Sequence, residues 1–521
     1  MLVAVVLTAI AAPTAYARRA SSDSASSCDW RMYGHDVGHS FAQQPGCSSV
    51  TPTTVSTLAP KWYFPTPDAV TASPTIVGDT VYIGDWTGTF YALATDPPPG
   101  PVTPKWTFTV DDGNSVGFGR IVSSAAYTTV GGHNLVLFAG GATLYALDAA
   151  TGARMASVCL DPRALPADRC HTSAQDIEVE SSPAVVPHGN SANVVVGLDV
   201  HNSQHVGRTG IVSLSLRASG GTFAFQPLWK FDPEAGVAYT GADLLTVGSG
   251  TGDGCGGVWS SPGVDVAQKL VFFGTASCSV DGVTTGERMW AIRLDNGGLV
   301  WSYGPPREST RYDDDFGASP NVLPGGIVGN GSKDGWYYAV DEHPVGGAPN
   351  VRWKTHVGES GHATIDFAVG GVLGSTATGT VNGVPAIFVT TAISTPLDSP
   401  FDAGPTLDTT LTEDPARMLS LSALRASDGA VLWRSPISRQ SYGAPTFVNG
   451  VVLVPSTFDF SLKAFDANTG LPLADLPLDG PPASAPTAMG NSVYLGVGTS
   501  TGQGSPLATF SGVWAFRALA G

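Results

Sequence analysis

Charge is scarce in this chain of 521 residues: 13% are Asp, Glu, Lys or Arg, where ~25% is usual, so a self-repelling disordered chain is excluded. Basic residues are scarcer still, 26 Lys and Arg against 43 Asp and Glu for a net charge of −17. They form no cluster, which removes nucleic acid from the list of partners, because phosphates need a basic surface. After the N-terminus no apolar run is long enough for a membrane span. The sequence contains no Cys-x-x-Cys-His for covalent c-type haem and no Gly-x-Ser-x-Gly elbow of a serine hydrolase.

What is plentiful is Gly (64) and Pro (39), an enrichment that favours many tight turns over long helices and predicts an all-β chain. Residues 1–17 read as a signal peptide, with a short apolar run and the small-x-small site Ala15-Tyr-Ala17. A secreted or periplasmic location follows. The six cysteines suit an oxidising compartment. Sequence neighbours pair most simply as Cys28/Cys47, Cys159/Cys170 and Cys255/Cys278, one of fifteen connectivities open to six cysteines.

One unit recurs along nearly the whole sequence: a small residue and Pro, an apolar strand, a Gly-rich turn, a second strand, and an aromatic-Ala-apolar triplet. Copies open at Ser73-Pro74, Ser123-Ser124, Ser182-Pro183, Ser261-Pro262, Ser319-Pro320, Phe367-Ala-Val-Gly-Gly371, Ala444-Pro445 and Ala485-Pro486. Their spacing of 41 to 79 residues holds four short strands with or without insertions, the content of a propeller blade. After the triplet comes a turn such as Asp466-Ala-Asn-Thr-Gly470, then often a strand with Trp: Trp106, Trp229, Trp301, Trp353 or Trp433. Such tryptophans supply flat surfaces for packing blade on blade. The last copy ends one strand short, while Leu58-Ala-Pro-Lys-Trp62 resembles an orphan fourth strand. Pairing the two would close the ring and remove its edges. The expected organisation is a signal peptide (1–17), an N-terminal extension (18–57) and a single eight-bladed β-propeller (58–521).

The phrases Val258-Trp-Ser-Ser-Pro262, Leu270-Val-Phe-Phe-Gly-Thr275, Asp314-Asp-Phe-Gly-Ala-Ser-Pro320 and Gly331-Ser-Lys-Asp-Gly-Trp-Tyr-Tyr-Ala-Val-Asp341 resemble the pyrroloquinoline-quinone (PQQ) dehydrogenases. The likeness covers residues 28–521 and is greatest to the polyvinyl alcohol dehydrogenase branch, where Asp29-Trp-Arg-Met-Tyr-Gly-His35 and Gly84-Asp-Trp-Thr-Gly88 also have counterparts. The resemblance implies PQQ in the central funnel on a tryptophan floor, a bridging Ca²⁺, and a carboxylate base acting on an alcohol. Three carboxylates on PQQ call for cations, and the metal polarises the quinone carbonyl. Matched by position, Lys333 and Arg120 are the cofactor-binding cations and Trp259 the floor. Asp281 and Asp314 are the catalytic carboxylates, and Asn202, Ser277 and Asp281 the metal ligands.

Two departures weaken the implied metal site: Gly274-Thr-Ala-Ser277 stands where the family has Gly-Thr-Gly-Asn, and Asn202 falls near the position of its metal-binding Glu. Ca²⁺ favours six to eight oxygens with several carboxylates among them. Compensating charge is available on Asp281 and Glu287, and in the run Asp313-Asp-Asp315. Two functions are consistent with the sequence. One is an exported PQQ-dependent alcohol dehydrogenase passing electrons to an external acceptor such as a c-type cytochrome. The other is a non-catalytic propeller that binds a protein or polymer.

Overall fold

A computed structural model describes residues 28–519, apart from 113–118, 161–169, 171–178, 200–208, 242–243, 247–255, 277–285, 307–313, 359–370, 392–420, 436–440, 458 and 500–509. The described strands form eight antiparallel sheets, seven of four strands and one of five. In seven of them successive strands are neighbours, which makes each sheet a simple meander. The fifth strand, Val237–Tyr239, extends the third blade, in the longest interval between sequence repeats. First strands of neighbouring blades touch each other, so they line the central axis. Second strands such as Leu270–Gly274 are buried along their whole length, as short uninterrupted apolar runs between turn signals should be.

The ring closes as the repeat count requires. Leu58–Pro65 pairs antiparallel with Gly512–Ala518, Leu58 opposite Ala518 and Pro65 opposite Gly512. One hydrophobic cluster spans this seam, joining Trp62 and Phe64 to Ile76, Val81, Tyr494 and Val513. The sixth blade opens at a different place from the one the repeat suggests: its first strand is Ala377–Val381, preceded by Ser375-Thr376. Of the expected opening Phe367–Gly371, only Gly371 lies within the described residues.

Two rings of side chains bind blade to blade. On the outer ring, indole Nε1 groups donate to a carbonyl of the next blade: Trp62 to Thr95, Trp106 to Ala149, Trp229 to Leu294, Trp301 to Glu342, Trp353 to Ala426 and Trp433 to Ala467, at 2.9 to 3.2 Å. The flat ring lies so close to the adjoining turn that a Cβ at Gly152 would come within 2.4 Å of Trp106. With a φ of +73° as well, only glycine is at ease there. The inner ring explains the recurrent Ser-Pro. The backbone N–H of Ser73 donates to Ser124 Oγ, Ser124 to Ser182, Ser182 to Ser261, Ser261 to Ser319 and Ser319 to Ser375, and Ala485 donates to Ser73. These groups are buried, where an unpaired N–H would be costly. The belt lapses where the seventh and eighth blades carry Ala444 and Ala485 in place of serine.

A third device comes from the N-terminal extension. Backbone hydrogen bonds tie Trp30 to Ile76, Arg31 to Tyr127, Val37 to Val264, Gly38 to Val322, Ser40 to Thr378, Phe41 to Phe447 and Cys47 to Gly490. This strap therefore visits seven of the eight blades in ring order, running against their innermost strands. Its ends are joined by the Cys28–Cys47 disulfide, and Cys159–Cys170 closes a second loop. Both pairings match the nearest-neighbour expectation; Cys255 and Cys278 lie outside the described residues. Among the described residues no helix is long and apolar enough to cross a membrane.

Candidate functional site

The site is built where the fourth and fifth blades meet at the axis. Lys333 occupies the tight turn between Ile327–Gly331 and Trp336–Asp341. Asp334 shapes that turn: its carboxylate accepts from the Trp336 N–H at 2.9 Å and the Tyr338 hydroxyl at 2.6 Å. The first blade repeats the device, with Asp85 accepting from the N–H groups of Thr87 and Thr89 and the hydroxyl of Tyr91. Burial pushes the Asp334 carboxyl up to about 6; the hydrogen bonds oppose this and the nearby Asp314 charge adds to it.

Lys333 is buried, and its ammonium lies 2.8 Å from Asp315 Oδ2 and 5.5 Å from the centre of the Trp259 ring. Its backbone N–H also donates to the Asp315 carbonyl at 2.9 Å. Trp259, on the segment leading into the first strand of the fourth blade, donates from Nε1 to the same Asp315 Oδ2 at 3.2 Å. Its half-buried ring lies over Gly317, where a Cβ would stand 1.9 Å from Cζ2. Gly317 is therefore required for the ring to lie as it does.

Asp314 adjoins this group. Its N–H donates to Glu287 Oε1 at 3.3 Å and its carbonyl accepts from Ser332 Oγ at 3.0 Å. Glu287 is itself buried and held at a φ of +50°, a conformation that a non-glycine residue keeps only when its surroundings impose it.

Trp259 and Lys333 thus lie together, with the backbone of Asp314 beside them. Arg120 lies on the connection between the first and second blades, where its N–H donates to the Trp86 carbonyl and its own carbonyl accepts from the Gly141 N–H. Asn202, Ser277 and Asp281 lie outside the described residues. Among the described residues no group of three or more His, Cys, Asp or Glu is placed to hold a metal. Asp315, which contacts both Trp259 and Lys333, is the residue the sequence reading passed over. Its signal was present in Asp313-Asp-Asp315, but which member of an acidic run turns inward depends on where the next strand starts.

A half-buried indole face with a buried ammonium beside it suits a flat, polyanionic ligand. The fold and this pairing define a propeller of the quinoprotein type. Residues 30–322 match the PQQ family, the glucose/ethanol/alcohol dehydrogenase β-propeller domain, and the chain belongs to that family. Residues 393–505 match the family of the outer membrane protein assembly factor BamB. No curated protein matches the chain.

Solved structures similar to it include a europium-containing methanol dehydrogenase, with a TM-score of 0.65 at 15% identity over 94% of this chain and 98% of that one. The quinohemoprotein alcohol dehydrogenase of Comamonas testosteroni gives a TM-score of 0.62 at 14% identity, covering 94% of this chain and 80% of that one. The ADHIIG quinohemoprotein alcohol dehydrogenase of Pseudomonas putida HK5 gives 0.62 at 15%, with the same coverage.

Proposed function

We propose that this protein is an exported, PQQ-dependent alcohol dehydrogenase acting on a primary or secondary alcohol, including polymeric ones. The observation that carries the reading is the Lys333 ammonium 5.5 Å from the centre of the Trp259 ring, with the Asp315 carboxylate bonded to both. Bound PQQ would supply the two-electron oxidant for the alcohol C–H bond. Trp259 offers its plane, Lys333 and Arg120 neutralise carboxylates of the ligand, and Asp314 takes the hydroxyl proton. Asn202, Ser277 and Asp281 would hold a Ca²⁺ ion, weakly for want of carboxylates, with Asp281 as a second catalytic carboxylate. Electrons leave to an external acceptor such as a c-type cytochrome, and residues 1–17 direct export to a secreted or periplasmic location.

The test is a PQQ titration of the purified apo-protein, with and without Ca²⁺, following tryptophan quenching and then dye reduction with a panel of alcohols. Saturable quenching that disappears in Lys333→Ala, together with dye reduction, is the expected result. Absence of quenching at micromolar PQQ under both conditions would reject the enzyme and leave a scaffold for a protein or polymer partner.

A further inference from the structure

The tight turn that carries Lys333 has counterparts in other blades. The Lys333 N–H donates to the carbonyl of Asp315, on the segment entering the first strand of its own blade. The same bond joins Trp86 to Ala69, Gly141 to Arg120, Ala276 to Gly257 and Gly498 to Pro481, at 2.8 to 3.0 Å. In the first blade the match extends further: Gly88 donates to Asp85 and Val110 to Gly88, as Gly335 does to Ser332 and Val357 to Gly335. The residues at this position therefore stand at one level around the axis. Among those described, Gly141, Ala276 and Gly498 have almost no side chain, and only Trp86 and Lys333 carry long ones. In a ring of eight blades the first and the fifth lie on opposite sides of the axis.

We infer that Trp86 is the wall of the funnel across from Lys333 and a specificity-determining residue that packs against the carbon chain of the alcohol, an inference that rests on the reading above. The indole is held in place on two sides. Its N–H donates to Thr71 Oγ1 at 2.9 Å, on the segment entering the first blade. On the segment entering the second, a Cβ at Gly119, whose φ is +90°, would stand 2.4 Å from Trp86 Cβ and Cγ. The ring is half-buried, and with its N–H already engaged it offers a fixed aromatic face in place of a polar contact. The cation-bearing wall suits anionic groups; the wall opposite suits uncharged C–H edges, as in a chain of several carbons.

The test measures kcat/KM of the PQQ-loaded protein along the primary alcohols from ethanol to 1-hexanol. Full burial of a methylene is worth about fourfold, so one-sided contact with an indole face should raise kcat/KM by about twofold per methylene. Trp86→Ala should flatten this slope, with the loss in KM more than in kcat. Trp86→Phe, which restores a flat face, should recover most of it. A second readout needs no turnover: in saturation-transfer NMR with 2-methyl-2-octanol, which has no carbinol hydrogen to give up, transfer to the chain methylenes should weaken severalfold in Trp86→Ala.

A slope that is flat in the wild type or unchanged in Trp86→Ala would overturn the inference. So would a fall in PQQ affinity with the slope kept, which would mark Trp86 as a contact of the quinone instead. Thermal unfolding establishes that each variant is folded; if the alanine variant is not, Trp86→Leu, apolar but without a flat face, replaces it and is read in the same way. If the wild-type protein takes up no PQQ, the functional reading fails, while the NMR comparison on the quinone-free protein still decides the contact: transfer lost in the variant supports it, and transfer that is equal, or absent from the wild type, refutes it.

Discussion

Two acids of the fifth-blade region lie in similar shelter and differ in their company. Asp315 has a cation against it, whereas Glu342 has another carboxylate, Asp265, in its neighbourhood. Burial first, and that charge second, push Glu342 up to about 7. A carboxyl raised from 4.5 costs nothing below its unfolded value. The loss of stability accumulates as pH rises from about 4.5, where the unfolded chain begins to ionise it, to about 7, and is complete above that, where the folded state is ionised as well. Glu342→Gln is therefore expected to leave stability unchanged near pH 4.5 and to raise it at pH 8 by about 1–2 kcal/mol, discounted for solvent screening. Denaturant unfolding at the two pH values checks this, and equal effects at both would refute the assignment. At this scale the sequence pointed to Trp259 and Lys333 through their flanking phrases. It could not single out Asp315 from its two acidic neighbours, since the choice is made by strand register and by a glycine two residues on.

At the scale of the element, the Ser-Pro openings were legible as strand starts and the late tryptophans as packing surfaces. What they bond to was not, because each partner lies in the next blade, dozens of residues away. The serine belt gives a matched pair of predictions. Ser261→Ala strands the Ser182 N–H and should cost about 1–3 kcal/mol, the penalty for a buried donor left without an acceptor. Ala444→Ser introduces a hydroxyl at a buried belt position and should stabilise by about 0.5–1.5 kcal/mol if it restores the link from Ser375. Chemical denaturation of both variants measures the difference, and a loss of stability in Ala444→Ser would show that the belt does not extend into the seventh blade. Trp433→Leu removes both a hydrogen bond to Ala467 and the face that lies on Gly470; because Trp433 is half-buried, a loss of about 1–2 kcal/mol, below that of fully buried large-to-small changes, is expected.

For the whole molecule, eight repeats and a missing last strand were enough to foresee a closed ring. The path of residues 28–50 was not foreseeable, since a segment that bonds to one blade after another around the ring has no periodicity of its own. Its disulfide closes a 19-residue separation, and a bridge of that length contributes roughly 2–4 kcal/mol. The double substitution Cys28→Ser with Cys47→Ser should lower the Tm accordingly, and added reductant should then have a smaller effect on the variant than on the wild type.

The strap also orders events in time. Residues 30–47 leave the ribosome before any blade, yet their partners extend to Gly490 and the strand behind them waits for Ala518. At about 5–20 residues per second, the leading end spends on the order of tens of seconds without most of its partners. The newborn protein must therefore be kept open, and kept from misjoining, until its last blade exists.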